Sequence, residues 1–340
     1  MNETLSVEAR ARLLYDALDQ VGWQEDKEEL VKLIHRLRLG LPAEDEFIVV
    51  LAWLGKCRMV HKLDQLQLPE ESKVRYRVPD LLAVFEHEGR HYPVLIEVKT
   101  KQKTPLSWRK DFYKALQTYG ELLNLPVLVA WKYATFWVLF ELKNFERTSK
   151  NFRISFKTAM KQNLLGLLAG DFSFSMNKGG GLHMRMRKIK NEPSENGKEG
   201  WVVEIEDVYF TNSKGACFKK VPGLLNLFLC SEQDVELIDE GTHFVQSYVI
   251  PESSTAEFAS RALAILLETF KGGDDIKWRD IMHTQFPPKR FGDLRRAAED
   301  ALKSGFVHHI LNQVPHNRPG FLEASETKHV PCGKSIEKPR

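Results

Sequence analysis

The sequence predicts an α/β protein, with a mixed sheet flanked by helices, a β-rich middle module and a winged-helix-like C-terminal module. Three observations carry this reading. Apolar residues recur at helical spacing up to residue 54. The period then falls to two in three successive stretches, and a helix-length segment separates these from two further alternating runs.

Two helices are expected within residues 1–41, one from Leu13, Leu14, Ala17, Leu18 and Val21, the next from Leu30, Leu33, Ile34 and Leu37, with Gly22 and Gly40 as breaks. Pro42 suits a first helical position, and a third helix should run through Glu44 to Leu54 and stop at Gly55. Strands follow at Arg58–Leu63, Pro79–Phe85 and Tyr92–Val98, the last two joined by a hairpin turn at His87-Glu88-Gly89-Arg90. A helix over Ser107–Leu123 and strands at Val127–Trp131 and Phe136–Leu142 complete this part.

Beyond residue 150, Phe152–Leu168 reads as a strand leading into a helix, and Phe172–Met176, Leu182–Ile189 and Trp201–Phe210 as strands. The Asn177–Gly181 run is a turn; it has neither the spacing of a dinucleotide fingerprint nor a Walker ending, so nucleotide hydrolysis is not indicated. Further on, Ser254-Thr255 should cap a helix ended by Gly272-Gly273. Ile276–Ile281 and Leu294–Ser304 should form two more helices, Gly305–Leu311 a strand and Gly320-Phe321-Leu322 its return. Three helices and a wing would place Arg295 and Arg296 on the third helix, the usual groove reader. His308 and His309 are adjacent on a strand and point apart, which disfavours a shared metal.

Composition sets the class. With 340 residues, 43% hydrophobic and 28% charged, the chain can bury the cores of two or three units. A formal charge of +3 neither demands nor excludes a polyanionic partner, so local clustering decides. The four cysteines, Cys57, Cys217, Cys230 and Cys332, show no CxxC pairing, against a structural zinc site or a disulfide framework. No signal sequence or membrane-length apolar run stands out, and the expected setting is a soluble protein in a reducing cytoplasm.

The chemistry concentrates between residues 44 and 99. Asp80 opens one strand of the hairpin and Glu97 lies near the end of its partner, so the turn should bring both to one sheet edge. Glu97 and Lys99, two apart, should share a face. Alone, such a pair reads as a solvated strand end. Here Val94, Leu95, Ile96 and Val98 make the strand a buried one, where charged residues need a reason. Two carboxylates and a phosphate oxygen suffice to hold Mg²⁺, beside which a lysine can orient water or steady the phosphorus.

Pro79-Asp80 and Glu97-Val98-Lys99 together resemble the PD-(D/E)xK, restriction-endonuclease-like nuclease superfamily. The upstream helix resembles its archaeal Holliday-junction-resolvase branch, in which a glutamate opens the first core helix ahead of two apolar residues and a closing glycine; Glu44, Phe47, Leu51 and Gly55 follow that order. Glu46 competes for the first place but is out of phase with the Phe47/Leu51 stripe. The resemblance implies that Glu44, Asp80 and Glu97 hold Mg²⁺, with Mn²⁺ able to substitute, and that Lys99 is the catalytic lysine. It covers residues from about 42 to 142. Some exonucleases of the superfamily carry a glutamine and a tyrosine four residues apart on the next helix; Gln117 and Tyr119 are two apart, so that pattern is not met.

Beside the motif lies a basic cluster, Lys99, Lys101, Lys103, Arg109, Lys110 and Lys114, with Trp108 and Tyr113 interleaved, suited to phosphate contact. The expected organisation is a helical segment at 1–41, a nuclease core at 42–148, the β-rich module at 149–250, the winged-helix-like domain at 251–323 and a disordered tail at 324–340. The function expected is metal-dependent DNA endonuclease activity in a homodimer or partner complex, since a double-strand cut needs two sites. Defence against foreign DNA and DNA recombination both suit it. An inactive nuclease fold kept for nucleic-acid binding or scaffolding, and an RNA-directed nuclease, are the rival readings.

Overall fold

The computed structural model describes residues 43–64, 67–192, 200–221, 223–229, 231–252, 256–269 and 294–323. The chain divides into Met1–Pro42 and Ala43–Arg340, and all the described residues belong to the second unit. The helices expected within 1–41 and at 276–281, and the tail from 324, lie outside them.

Helix α1 covers residues 43–54 and buries Phe47, Val50 and Leu51 completely. Strand β1 (Cys57–Lys62) follows, then β2 (Leu81–His87) and β3 (Arg90–Thr100). The β2–β3 connection is two residues long, with Glu88 at φ 51° and Gly89 at φ 73°. Positive φ at both positions is what a type I′ turn requires, and such turns match the natural twist of the flanking strands. The turn fixes the register, pairing His87 with Arg90 and Leu81 with Ile96.

From β3 the chain crosses over through β4 (Leu106–Arg109) and helix α2 (Lys110–Leu123) to β5 (Val127–Tyr133), parallel to β3, and returns antiparallel in β6 (Phe136–Glu141). The sheet order is β1-β2-β3-β5-β6, the mixed sheet expected. The helix, however, starts at Lys110. Residues Leu106–Arg109 are a strand because they pair with β8 (Asn151–Ile154), itself paired with β7 (Glu146–Arg147). That pairing also crosses the boundary expected at 148/149. Alternation along the sheet feeds two cores: Ala83, Phe85, Val94, Ile96 and Val98 pack with α1, whereas Leu95, Val129 and Trp131 pack with Leu116 of α2. Helix α2 can sit this close because Gly120 faces β5, where an added Cβ would lie 2.4 Å from Val127 Cγ2.

A buried polar contact crosses the α1 interface. Glu46, 2% exposed, accepts hydrogen bonds from Lys132 Nζ at 2.8 Å and Trp137 Nε1 at 2.9 Å. The residue that competed with Glu44 in the sequence is therefore a buried anchor between α1, β5 and β6.

After α3 (Phe156–Lys161) and a π-helical turn (Leu165–Ala169) come β9 (Phe172–Met176), β10 (Gly181–Asn191), β11 (Trp201–Thr211), β12 (Cys217–Phe218), α4 (Leu224–Leu229), β13 (Asp234–Asp239) and β14 (His243–Val249). Five of these strands form an antiparallel sheet ordered β12-β11-β10-β14-β13. β9 stands apart. It pairs with β15 (Glu257–Phe258) on one side and β16 (Val307–Asn312) on the other, so a sheet crosses the boundary expected at 250/251.

Helices α5 (Ala259–Thr269) and α6 (Leu294–Lys303) occur near their expected places. The cap at Ser254-Thr255 lies outside the described residues. At the start of α5, Asp171 accepts from Ser260 N at 2.9 Å and Ser260 Oγ at 2.6 Å. The wing is not formed as expected, because β16 takes β9 as partner and Gly320–Glu323 is a helical turn, α7. Leu263, Ala298, Phe306 and Leu322 of this region share one hydrophobic core with Phe47 and Leu51 of α1. Among the described residues no helix is long and apolar enough to cross a membrane.

The α1 anchor makes a measurable prediction. Lys132→Met should strand the Glu46 carboxylate in the core and lower stability by about 3–5 kcal/mol, the usual consequence of removing one partner of a buried pair. Urea unfolding measures this, and a change below about 1 kcal/mol would deny the contact its role.

Candidate active site

Strand β3 is buried on both faces from Val94 to Val98, and Lys99, next in line, is half-buried near the strand's end. Since Leu81 pairs with Ile96, Asp80, one residue earlier, comes opposite Glu97. Asp80 Oδ2 accepts a hydrogen bond from Val98 N at 2.7 Å, which ties the start of β2 to the end of β3. Lys99 Nζ donates to Glu97 Oε1 at 2.5 Å and to Val98 O at 3.0 Å, and stands 4.0 Å from Asp80 Oδ2. The hairpin thus brings Asp80, Glu97 and Lys99 together.

Glu44 approaches without joining their contacts. It lies at the start of α1, within electrostatic reach of Asp80, but its direct partner is Lys62 of β1, whose Nζ is 3.2 Å from Glu44 Oε2 and 2.6 Å from Asp45 Oδ1. Burial, and then repulsion from Asp80, raise the Glu44 carboxyl above its usual range.

Glu97 is the most deeply buried of the site's three carboxylates. Its side chain is wholly buried, and Oε2 has no hydrogen-bond partner. Burial pushes its pKa up to about 7, against the pull of Lys99 and with the help of Asp80. A buried carboxylate oxygen with no donor, facing another carboxylate, is suited to a hard cation. Among the described residues no group of three or more His, Cys, Asp or Glu is gathered as a ready metal cage; Mg²⁺ needs few protein carboxylates because it keeps several waters.

The basic cluster divides. Lys103, Arg109 and Lys114 are exposed, while Lys101 donates to Pro105 O at 3.0 Å and Lys110 to Ser149 O at 2.6 Å. Trp108 and Tyr113, interleaved among these cations in sequence, are core residues: Trp108 stacks on Phe145 at 4.6 Å between centroids, and Tyr113 on Phe152 at 3.7 Å. Gln117 is spent on Glu121 at 2.9 Å. On α6, Arg295 contacts Glu299 and Asn312, while Arg296 is exposed. His308 and His309 do not point apart as expected; a register shift there leaves their rings 4.0 Å apart.

Three residues near the motif went unread in the sequence. Lys62 neutralises Glu44, Arg77 draws the Glu97 pKa downward, and Phe112 lies under both Arg77, at 4.6 Å, and Lys99 Nζ, at 5.7 Å from its ring centroid. The available signal was the position of Arg77, three residues before Asp80. Lys99 and Phe112 also line a cavity of about 330 Å³ together with Lys101 and Arg109.

The raised Glu97 pKa fixes a pH response. The folded state holds a proton on Glu97 that the unfolded chain has released between pH 4.5 and about 7, so stability falls as pH rises through that window. Without added divalent metal the loss attributable to Glu97 is of the order of 3 kcal/mol. Glu97→Gln should flatten this part of the stability–pH curve; an unchanged slope would contradict the assignment.

Residues 69–172 match the family model described as archaeal Holliday junction resolvase (hjc). The matched segment holds Asp80, Glu97 and Lys99; Glu44 lies before it. Among solved structures, the chain resembles the Archaeoglobus fulgidus Hjc Holliday junction resolvase at 26% sequence identity over 35% of this chain and 91% of that one. The TM-score is 0.29, so the superposition adds no weight of its own. No curated protein matches the chain significantly. The resemblance read from the motif is borne out: residues 69–172, under a third of the chain, are similar to the archaeal Holliday junction resolvases, a restriction-endonuclease-like PD-(D/E)xK family.

Proposed function

We propose that this protein is a metal-dependent DNA endonuclease acting on branched DNA of the kind met in recombination, and that Asp80, Glu97 and Lys99 carry the reaction. The observation supporting this most directly is the meeting of these three side chains at one sheet edge, with Glu97 Oε2 buried and unpartnered. Asp80 and Glu97, with Glu44 from α1, would hold Mg²⁺ or Mn²⁺, which when bound polarises the scissile phosphate and lowers the pKa of water.

The remaining steps belong to the chain's own residues. Lys99 has three N–H donors and gives one to Glu97 and one to Val98 O, which fixes its direction and leaves the third for a phosphate oxygen or the attacking water. Val98 N holds the Asp80 carboxylate in place. Lys62 keeps Glu44 at the site margin by ion pairing. The exposed Lys103, Arg109 and Lys114 would contact flanking phosphates, which makes binding steeply salt-dependent. Paired cuts across a branch require two such sites, hence a homodimer or a partner complex. The rival reading of an inactive nuclease fold kept for binding or scaffolding is disfavoured because an intact acid–acid–lysine set at a cost in buried charge has no use in a scaffold.

The test is cleavage of a four-way DNA junction in Mg²⁺. Asp80→Ala and Lys99→Ala should each lower the rate by roughly 10²-fold or more, the scale on which loss of a transition-state contact is felt. Equal cutting by both variants and wild type would sink the reading, and cutting of RNA with DNA untouched would redirect it. Mg²⁺ should also raise the melting temperature of the wild type at pH 7.5, and not that of Asp80→Ala.

A further inference from the structure

Between the segment preceding Asp80 and the start of α2 lies a second cavity, of about 430 Å³. One wall is Gln67, Tyr76 and Arg77; the other is Arg109, Asp111 and Phe112. The walls are fastened to each other, since Arg77 N donates to Ala115 O of α2 at 3.2 Å. Arg109 and Phe112 line this cavity and also the one containing Lys99, so the two spaces share a partition. Within the shared wall, the Phe112 ring lies 4.6 Å from the Arg77 guanidinium and 5.7 Å from Lys99 Nζ.

The lining has a specific chemical character. Planar surfaces are offered by Tyr76, whose ring centroid lies 5.4 Å from the Arg75 guanidinium, and by the Arg77 guanidinium, which is itself backed by Phe112, while Arg77 and Arg109 bring positive charge. Gln67 and Asp111 add amide and carboxylate groups of the sort that read base edges. The volume is within the range of small-molecule sites and suits one nucleotide. Aromatic and guanidinium planes stack unpaired bases, whereas a base inside a duplex cannot reach such a recess. Around the mouth, Lys73, Arg75 and Arg77 are exposed in alternation with Val74, which is 90% exposed, and Tyr76. An apolar side chain flanked by cations resembles the wedges that part base steps.

We propose that this cavity receives one unpaired nucleotide of the DNA substrate, next to the scissile phosphate, and that Val74 helps to part it from its neighbours. The proposal rests on the nuclease reading above and names what the site recognises: the extruded nucleotide at a branch or bulge, in preference to continuous duplex. Arg77 and Arg109 would hold the phosphates on either side of it, leaving the next phosphate before Lys99.

Fluorescence anisotropy without divalent metal tests this independently of cleavage, using a paired DNA duplex and the same duplex with a single-nucleotide bulge. The full-length wild type should favour the bulged DNA by roughly tenfold, the scale of base–aromatic stacking. Tyr76→Ala removes a stacking surface and Ala115→Phe fills the cavity from α2 while deleting no contact; each should bring the preference to within twofold of unity, with melting curves reporting folding. Equal affinity of the wild type for both DNAs, or an undiminished preference in folded Ala115→Phe, would overturn the proposal. Absence of Mg²⁺-dependent cleavage with the bulge preference intact would instead overturn the nuclease reading alone.

Discussion

The register of the β2–β3 hairpin is the constraint on which the site depends. A two-residue turn at Glu88-Gly89 sets Leu81 against Ile96, and this alone puts Asp80 opposite Glu97. A slip of one residue would exchange the faces of every side chain in the strand and lead Asp80 away from Glu97. The same register makes β3 a central strand, pressed by α1 on one face and α2 on the other. Glu97 is therefore carried into a place that disfavours its charge, and Lys99 offsets that cost only in part.

Helix α1 solves a related problem with two glutamates of different duty. Glu44 and Glu46 are two positions apart, about 200° around a helix. One points to the sheet edge beside Lys62; the other enters the core and is held by Lys132 and Trp137. The buried contact sets the position of the helix, and the helix sets where Glu44 stands. A site built from strand ends is rigid along the sheet, and this anchor extends that rigidity to the element above it.

Much of this was legible in the residues because the signals were local. Alternation located β1, β2, β3, β5 and β6, and the Glu88-Gly89 pair located the turn. Phase against Phe47 and Leu51 favoured Glu44 over Glu46 for the site but put Glu46 off the core stripe, whereas Glu46 is buried there because Lys132 and Trp137 supply its hydrogen bonds. What escaped depends on partners distant in sequence. Ser107 and Trp108 looked like the first turn of a helix, but they form a strand with a segment some forty residues on. Trp108 and Tyr113, interleaved among lysines and arginines, were read with the phosphate-contacting strip; the aromatics Phe145 and Phe152, which claim them for the core, come later in the chain. The wing failed for the same reason, because the partner of β16 is β9, more than a hundred residues earlier. Asp171 gave no sign of capping a helix that begins near residue 259.

The pairing of β9 bears on how the family-matched segment relates to the rest of the chain. β9 stands at the end of the family-matched segment, and both of its neighbours come from the C-terminal third. Leu263, Ala298 and Leu322 close the same core as α1. Removing that third would leave β9 with two bare edges and an apolar wall open to water, a surface prone to aggregation. The C-terminal region thus completes the wall on which the helix bearing Glu44 packs, and a substitution at Leu263, Ala298 or Leu322 is a change in that helix's own core.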